Sequence, residues 1–322
     1  VLQRHGGRRC ALRRGPAEQL GDARSRHSGP GAALRLTAGD LRREGGVLGD
    51  ENGNIFERVS FPTREPAETM PDMVRFFREK GVEALGVGSF GPLCLNPHAP
   101  NYGSITTTPK PGWRDYPLAQ TFRQALGVPV EIDTDVNAAA LGEALLGAGQ
   151  GVDTLVYYTV GTGVGGGLYS QGKLHHGLVH PEMGHMILRP HRNDPTPEGF
   201  CPYHKGCLEG MAAGPALEKR WGVSARELPP EHIAWKIEAE YLAQMCVNTI
   251  VMLSPERIVL GGGVMHQRQL FPMVRCRTLE LLGGYVAAPE IVEHMDSYIV
   301  APGLGDNAGA VGSLMLARRA LQ

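Results

Sequence analysis

From residue 50 onward apolar and polar positions follow a regular grammar, and before it they follow none. Asp50-Glu51-Asn52-Gly53-Asn54 spells a turn, and Ile55-Phe56-Glu57-Arg58-Val59-Ser60-Phe61 has the character of a strand. A hairpin is therefore expected whose first strand lies upstream of Asp50, although no partner is recognisable there. Residues 65–80 put Met73, Phe76 and Phe77 on one helical face and stop at Gly81. Residues 82–88 form a strand that enters Ser89-Phe90-Gly91-Pro92, a tight loop where backbone can approach a ligand. Residues 104–113, SITTTPKPGW, make a polar loop with two prolines, either a rigid connection or a substrate-facing one. A helix over 117–126 leads into a strand over 128–135 and then an alanine-rich helix.

The second half repeats these signals. A strand over 153–160 enters the glycine-rich bend Gly161-Thr162-Gly163, and a second strand follows as far as the turn at Gln171-Gly172. Residues 208–221 are a helical region, and 231–253 a long helix with Ile233, Ile237, Tyr241 and Met245 along its core face. Residues 256–260 are a short buried strand ending in Gly261-Gly262-Gly263. The last segment, from Pro302 to Gly312, enters a small-residue helix, where small side chains serve close packing or ligand contact equally well.

Composition changes this picture at one end. Residues 1–48 carry ten arginines against four acids, a balance of +6, while the remaining 22 basic and 29 acidic residues give −7. This opening contains no aromatic residue, Ile, Met or Lys, and shows no periodicity. Two accounts fit it: a basic disordered arm for nucleic acid, or an out-of-frame translation joined to the true frame near Gly49. The start at Val1 and a first methionine only at Met70 favour the second. The mildly acidic body offers no phosphate-backbone footprint, so no nucleic acid partner is expected from it. Without a long apolar run or a signal-peptide core, neither a membrane association nor export is expected. Six scattered cysteines suit a reducing cytoplasm.

Candidate chemistry falls in four places. Asp135, at the C-terminal edge of a strand, lies where open α/β sheets collect ligands, and can accept a hydroxyl proton; the plain alternative is a helix cap. The bend Gly161-Thr162-Gly163 exposes backbone N–H groups suited to phosphate oxygens, although the P-loop pattern is absent. Gly261, Gly262 and Gly263 likewise bring backbone amides to a sheet edge. Cys201, His204 and Cys207 lie within seven residues, and His185 precedes them in His180-Pro181-Glu182-Met183-Gly184-His185. Two thiolates and two imidazoles form a set suited to tetrahedral zinc, and four protein ligands leave no open position, so the metal's role is expected to be structural.

Four pieces occur in one order: Asp-Val-Asn-Ala-Ala-Ala-Leu-Gly-Glu, Gly-Thr-Gly-Val-Gly-Gly-Gly, Pro-Glu-Met-Gly-His with its Cys/His loop, and Leu-Gly-Gly-Gly-Val. On these the chain resembles the ROK family of sugar kinases from about residue 49 to 321. The SITTTPKPGW loop and His204 point to the fructokinase (mannofructokinase) branch. The resemblance implies an α/β, two-lobed actin/hexokinase-like (ribonuclease H-like) ATPase fold with a zinc-stapled loop. The expected lobes are 49–136 with 306–322, and 137–305, with 1–48 outside both. It implies ATP-dependent phosphorylation of a hexose, fructose to fructose 6-phosphate, with Asp135 as general base. Asn137, Glu182, His185 and Glu209 would hold sugar hydroxyls, with Gly91 nearby. Gly161, Thr162 and Gly163 would meet ATP phosphates and Gly261, Gly262 and Gly263 the nucleoside, with Mg2+ neutralising charge. Zn2+ on His185, Cys201, His204 and Cys207 would fix a substrate-contacting histidine in place. The family's members are often dimeric, so a homodimer is an open expectation.

One departure stands out. The family opens with a strand, an acid-x-Gly-Gly-Thr type of turn that contacts ATP phosphates, and a second strand, and residues 1–48 show no match beyond Glu44-Gly45-Gly46-Val47. A first sheet lacking strands, weak kinase activity and poor solubility are then expected of the chain as written. The competing reading is a sugar-binding protein without catalysis. A DNA-binding regulator is disfavoured because no helix-turn-helix pair precedes the body.

Overall fold

Two five-stranded sheets built to one plan organise the chain, which a computed structural model describes over residues 31–35 and 43–322. In chain order the first half runs β1 (Gly31–Arg35), β2 (Arg43–Gly49), β3 (Ile55–Pro62), α1 (Pro66–Glu79), β4 (Leu85–Ser89), α2 (Leu118–Leu126), β5 (Val130–Thr134) and α3 (Asp135–Leu146). The second half opens with β6 (Thr154–Val160), β7 (Val164–Ser170), β8 (Lys173–Leu174), α4 (Leu208–Ala212), α5 (Gly214–Trp221) and α6 (Ile233–Leu253). It closes with β9 (Arg257–Gly261), α7 (Leu270–Leu282), α8 (Pro289–Val292), α9 (Met295–Tyr298), β10 (Ile299–Val300) and α10 (Ala308–Ala320).

The first sheet has the order β3-β2-β1-β4-β5, with β1, β2 and β3 an antiparallel meander and β4 and β5 parallel to β1. The second has the order β10-β9-β6-β7-β8, again a meander joined to two parallel strands. Parallel strands need crossover connections, and the helices between them supply these. Each sheet therefore sends the C-terminal ends of its parallel strands toward one edge, where ligands of α/β sheets gather.

Two strands thus precede Asp50, and β1 is the central strand of its sheet. The expectation that 1–48 stands outside the fold, leaving the first sheet short of strands, does not hold for 31–35 and 43–48. Strand pairing, rather than alternation in their own sequence, fixes these two segments. The rest of that stretch, including any phosphate turn over 36–42 and the disordered-arm and frame-error readings of the opening, lies outside the described residues.

Each sheet has its own apolar core, around Phe77, Phe90, Trp113 and Phe122 in the small lobe and around Trp235, Tyr241, Met245 and Leu260 in the large one. Of the helix faces expected from periodicity, Met73 and Phe77 are buried and Phe76 only partly so, while Ile233 is 38% exposed at the start of α6. A third core, built largely from α3 and α10, joins the lobes. There the two helix backbones nearly touch: a Cβ on Gly312 would stand 1.6 Å from the Ala138 carbonyl oxygen. Small residues at the end of the chain are therefore a packing requirement of this crossing. The other end of α3 is tied down by Glu143, a fully buried carboxylate that accepts from the backbone N–H groups of Ala148, Gly303 and Leu304 at 2.7, 2.8 and 3.0 Å. Among the described residues no helix is long and apolar enough to cross a membrane.

Candidate active site

A cleft of about 1140 Å³ opens between the sheets. Asp135 lies on its wall as the first residue of α3, directly after β5. Its Oδ1 accepts from the N–H of Val136 at 2.9 Å. The capping role belongs to its neighbour: Thr134 Oγ1 accepts from Asn137 N at 3.1 Å. Asp135 thus lines the cleft at the strand edge beside a helix cap supplied by Thr134. Thr134 lines the cleft as well, and the sequence reading passed it over.

Gly91, Glu182, His185 and Glu209 also line the cleft, and Thr107 and Thr108 bring the SITTTPKPGW loop to it. Glu182 keeps 52% of its side chain exposed. Desolvation by the walls pushes its carboxyl above the usual range; His185 opposes this, while Glu209 and Asp135 add to it. Three carboxylates and an imidazole converging in this way can accept and donate hydrogen bonds to a polyhydroxylated ligand. Glu209 also reaches β7, where its Oε2 accepts from Val164 N at 3.0 Å, so it braces the glycine turn beside it.

Asn137 does not join this group. It is 1% exposed and turned away from the cleft, its Nδ2 donating to Asp133 Oδ1 at 2.8 Å. The reason is helical geometry: two residues beyond Asp135, a side chain points to another side of α3. The opposite oxygen of Asp133 lies 2.8 Å from His176 Nε2, and that carboxylate raises the His176 pKa, foremost through their hydrogen bond.

The glycine turns form the other part of the cleft. Gly161, Thr162 and Gly163 join β6 to β7, and Gly262 and Gly263 follow β9. Gly262 has φ +90°, and a Cβ there would stand 2.5 Å from the Val160 carbonyl oxygen, so no other residue fits. Gly261 is the exception to the expected trio: it ends β9 beneath the cleft, buried against Tyr157 and Pro302.

The ligand atoms of His185, Cys201, His204 and Cys207 all lie within 4.8 Å of one another. His185 Nδ1 is 4.0 Å from Cys201 Sγ and 3.8 Å from Cys207 Sγ, and Cys201 Sγ is 3.7 Å from His204 Nδ1. A tetrahedron with zinc-like bond lengths has edges of roughly 3.3–3.8 Å, so the donor set fits such an ion with small adjustment. Cys207 Sγ also accepts from Gly210 N at 3.5 Å, while burial pushes its thiol pKa up to about 11. His185 spends Nδ1 on this cluster while lining the cleft.

His180, likewise passed over by the sequence reading, lies in the cleft wall with its ring 5% exposed. Its signal was its place in the same short motif as Glu182 and His185.

The ROK family profile matches residues 44–320. A fructokinase of Pediococcus pentosaceus is 46% identical over 276 residues, 86% of this chain and 94% of its own length. A fructokinase of Zymomonas mobilis subsp. mobilis is 47% identical over 269 residues, 81% of this chain and 87% of its own. The crystal structure of a ROK hexokinase from Thermus thermophilus has a TM-score of 0.73 at 28% identity, covering 91% of this chain and 99% of that one. With paired five-stranded sheets, a strand-edge aspartate in the cleft and a profile match over most of its length, the chain belongs to the ROK family.

Proposed function

We propose that the protein phosphorylates a hexose with ATP, fructose to fructose 6-phosphate first among them, and that Asp135 is the general base. The observation that carries this reading is the position of Asp135, in one cleft with hydroxyl-binding groups (Glu182, His185, Glu209) and with backbone turns fit for phosphates (161–163, 262–263). The fructokinase relatives support the choice of sugar. Asp135 takes the proton of the sugar hydroxyl as that oxygen bonds to the terminal phosphorus of ATP, and the bond from phosphorus to the ADP oxygen breaks. Such a transfer relies on positioning and charge neutralisation, the latter supplied by Mg2+ bound with ATP. Zn2+ on His185, Cys201, His204 and Cys207 would hold His185 in place for the sugar and take no part in the transfer. The non-catalytic alternative rests on the missing acid-x-Gly-Gly-Thr phosphate turn, and the stretch between β1 and β2 where that turn would fall lies outside the described residues.

An ADP-release assay over a panel of hexoses tests the proposal. Turnover with fructose is expected, and Asp135→Asn should lower kcat by about 10²- to 10⁴-fold while fructose still binds. Absence of turnover on every hexose rejects the kinase reading. A kcat within threefold of wild type in the asparagine variant rejects the role of Asp135 alone.

A further inference from the structure

His180 stands between two walls of the cleft that come from distant parts of the chain. Leu93 N donates to its Nε2 at 3.1 Å, from the loop that follows β4 and carries Gly91. An acceptor nitrogen has no proton, so the ring is neutral and its hydrogen sits on Nδ1. That nitrogen lies 3.6 Å from Glu182 Oε1. The ring also packs on the backbone of Gly91, where an added Cβ would come within 3.1 Å of Nε2 and 3.2 Å of Cε1. Burial holds the imidazole pKa below its usual value; the Pro181 backbone, Asp133 and Asp135 oppose this, and His176 reinforces it.

We propose that His180 is a positioning residue for the hexose, its neutral imidazole fixing the Gly91 wall against the Glu182 wall and so setting the width of the sugar pocket. This rests on the hexose kinase reading above. A protonated ring could not accept from Leu93, so the task needs an acceptor on a rigid frame whose far side packs toward Glu182, 3.6 Å from Nδ1. The two glycine turns adjoin each other, a Cβ on Gly161 falling 3.7 Å from Gly263 N, whereas the groups His180 meets are Leu93, Gly91 and Glu182 of the expected sugar side. His180 therefore acts on the sugar and not on the nucleotide.

Steady-state kinetics of the full chain with fructose and ATP, on wild type, His180→Ala and His180→Gln, test the proposal. The alanine variant should raise KM for fructose about tenfold, as loss of one buried hydrogen-bond partner does, and leave KM for ATP within twofold. Glutamine, whose amide oxygen can accept from Leu93 while its amide group fills the space toward Glu182, should restore most of the difference. If the alanine variant does not fold, His180→Asn, too short to span both walls, takes its place. Nitrogen-15 NMR of the histidine rings, with His180 assigned by its loss in the glutamine variant, should show the Nδ1–H tautomer. An unchanged fructose KM, equal increases for fructose and ATP, or an Nε2–H tautomer overturns the proposal. If wild type turns over no hexose, the kinase reading fails instead, and the tautomer together with fructose binding by calorimetry decides whether His180 holds the pocket.

Discussion

The two lobes share a strand plan and hold themselves together by different means. The small lobe relies on an apolar core and carries its ion pairs on the surface, such as Arg64 with Glu68 and Lys80 with Glu57. The large lobe adds polar fastenings. Asp194 and Arg220 form an ion pair at 2.9 Å with both side chains fully buried, and Tyr241 donates to the second oxygen of Asp194. The Cys/His cluster lies close by in sequence. Both the ion pair and the Cys/His cluster involve the long segment between β8 and α4, which has almost no regular structure of its own. A repeated topology therefore does not require repeated chemistry: the buried ion pair and the Cys/His cluster both belong to the long loop of one lobe.

Metal removal is the strongest test of that difference. Treatment with a zinc chelator, or Cys207→Ser, should lower Tm by roughly 10 °C, given several kcal/mol of lost metal binding. Limited proteolysis should then cut the 186–207 loop while leaving α1, β4 and α2 protected. Equal loss of protection in both lobes would show that the staple serves the whole molecule.

The next test strikes the joint, which belongs to neither lobe. Gly312→Ala puts a methyl group against the Ala138 carbonyl and should cost about 1–3 kcal/mol as an overpacked contact. Denaturant unfolding should show this as a lower midpoint with one cooperative transition. Separate transitions for the two lobes would mean that the α3–α10 crossing is what couples them.

The smallest effect is expected at His176, whose loop leaves the large lobe and meets Asp133 of β5. Its folded-state pKa is raised, first by the hydrogen bond to Asp133 and further by the charges of Asp133 and Glu131, against an opposing desolvation. The pair's stabilisation is thus complete below the unfolded value of about 6.5 and fades as pH climbs through the folded pKa. Thermal melts of His176→Ala and wild type should differ more at pH 6 than at pH 9. A gap that is constant with pH would show that only packing links the loop to β5.

Legibility in the sequence also differs between the lobes. The strand β6, Thr-Leu-Val-Tyr-Tyr-Thr-Val, carries β-branched and aromatic residues and was readable from them. The strand β2, Arg-Glu-Gly-Gly-Val-Leu-Gly, has three glycines in seven residues, and β1 is five residues long, so neither offers a pattern. Asp135, the glycine turns and the Cys/His set were legible because each is a short chemical motif whose spacing carries meaning. Thr134 and His180 were missed because a threonine before a helix and a histidine in a loop are common, and their significance depends on what faces them.

What the sequence determined by itself was local: strand and helix periods, the turn chemistry, the donor set at 185–207 and the family. What only the tertiary structure decided was which side chains look the same way. It turned Asn137 from the cleft into the network with Asp133 and His176, set Gly261 beneath the cleft it was expected to line, and placed β1 at the centre of a sheet. The physical reason is that periodicity reports a residue's neighbours along one element. Facing in the cleft, and pairing in the first sheet, depend on contacts between elements far apart in the chain.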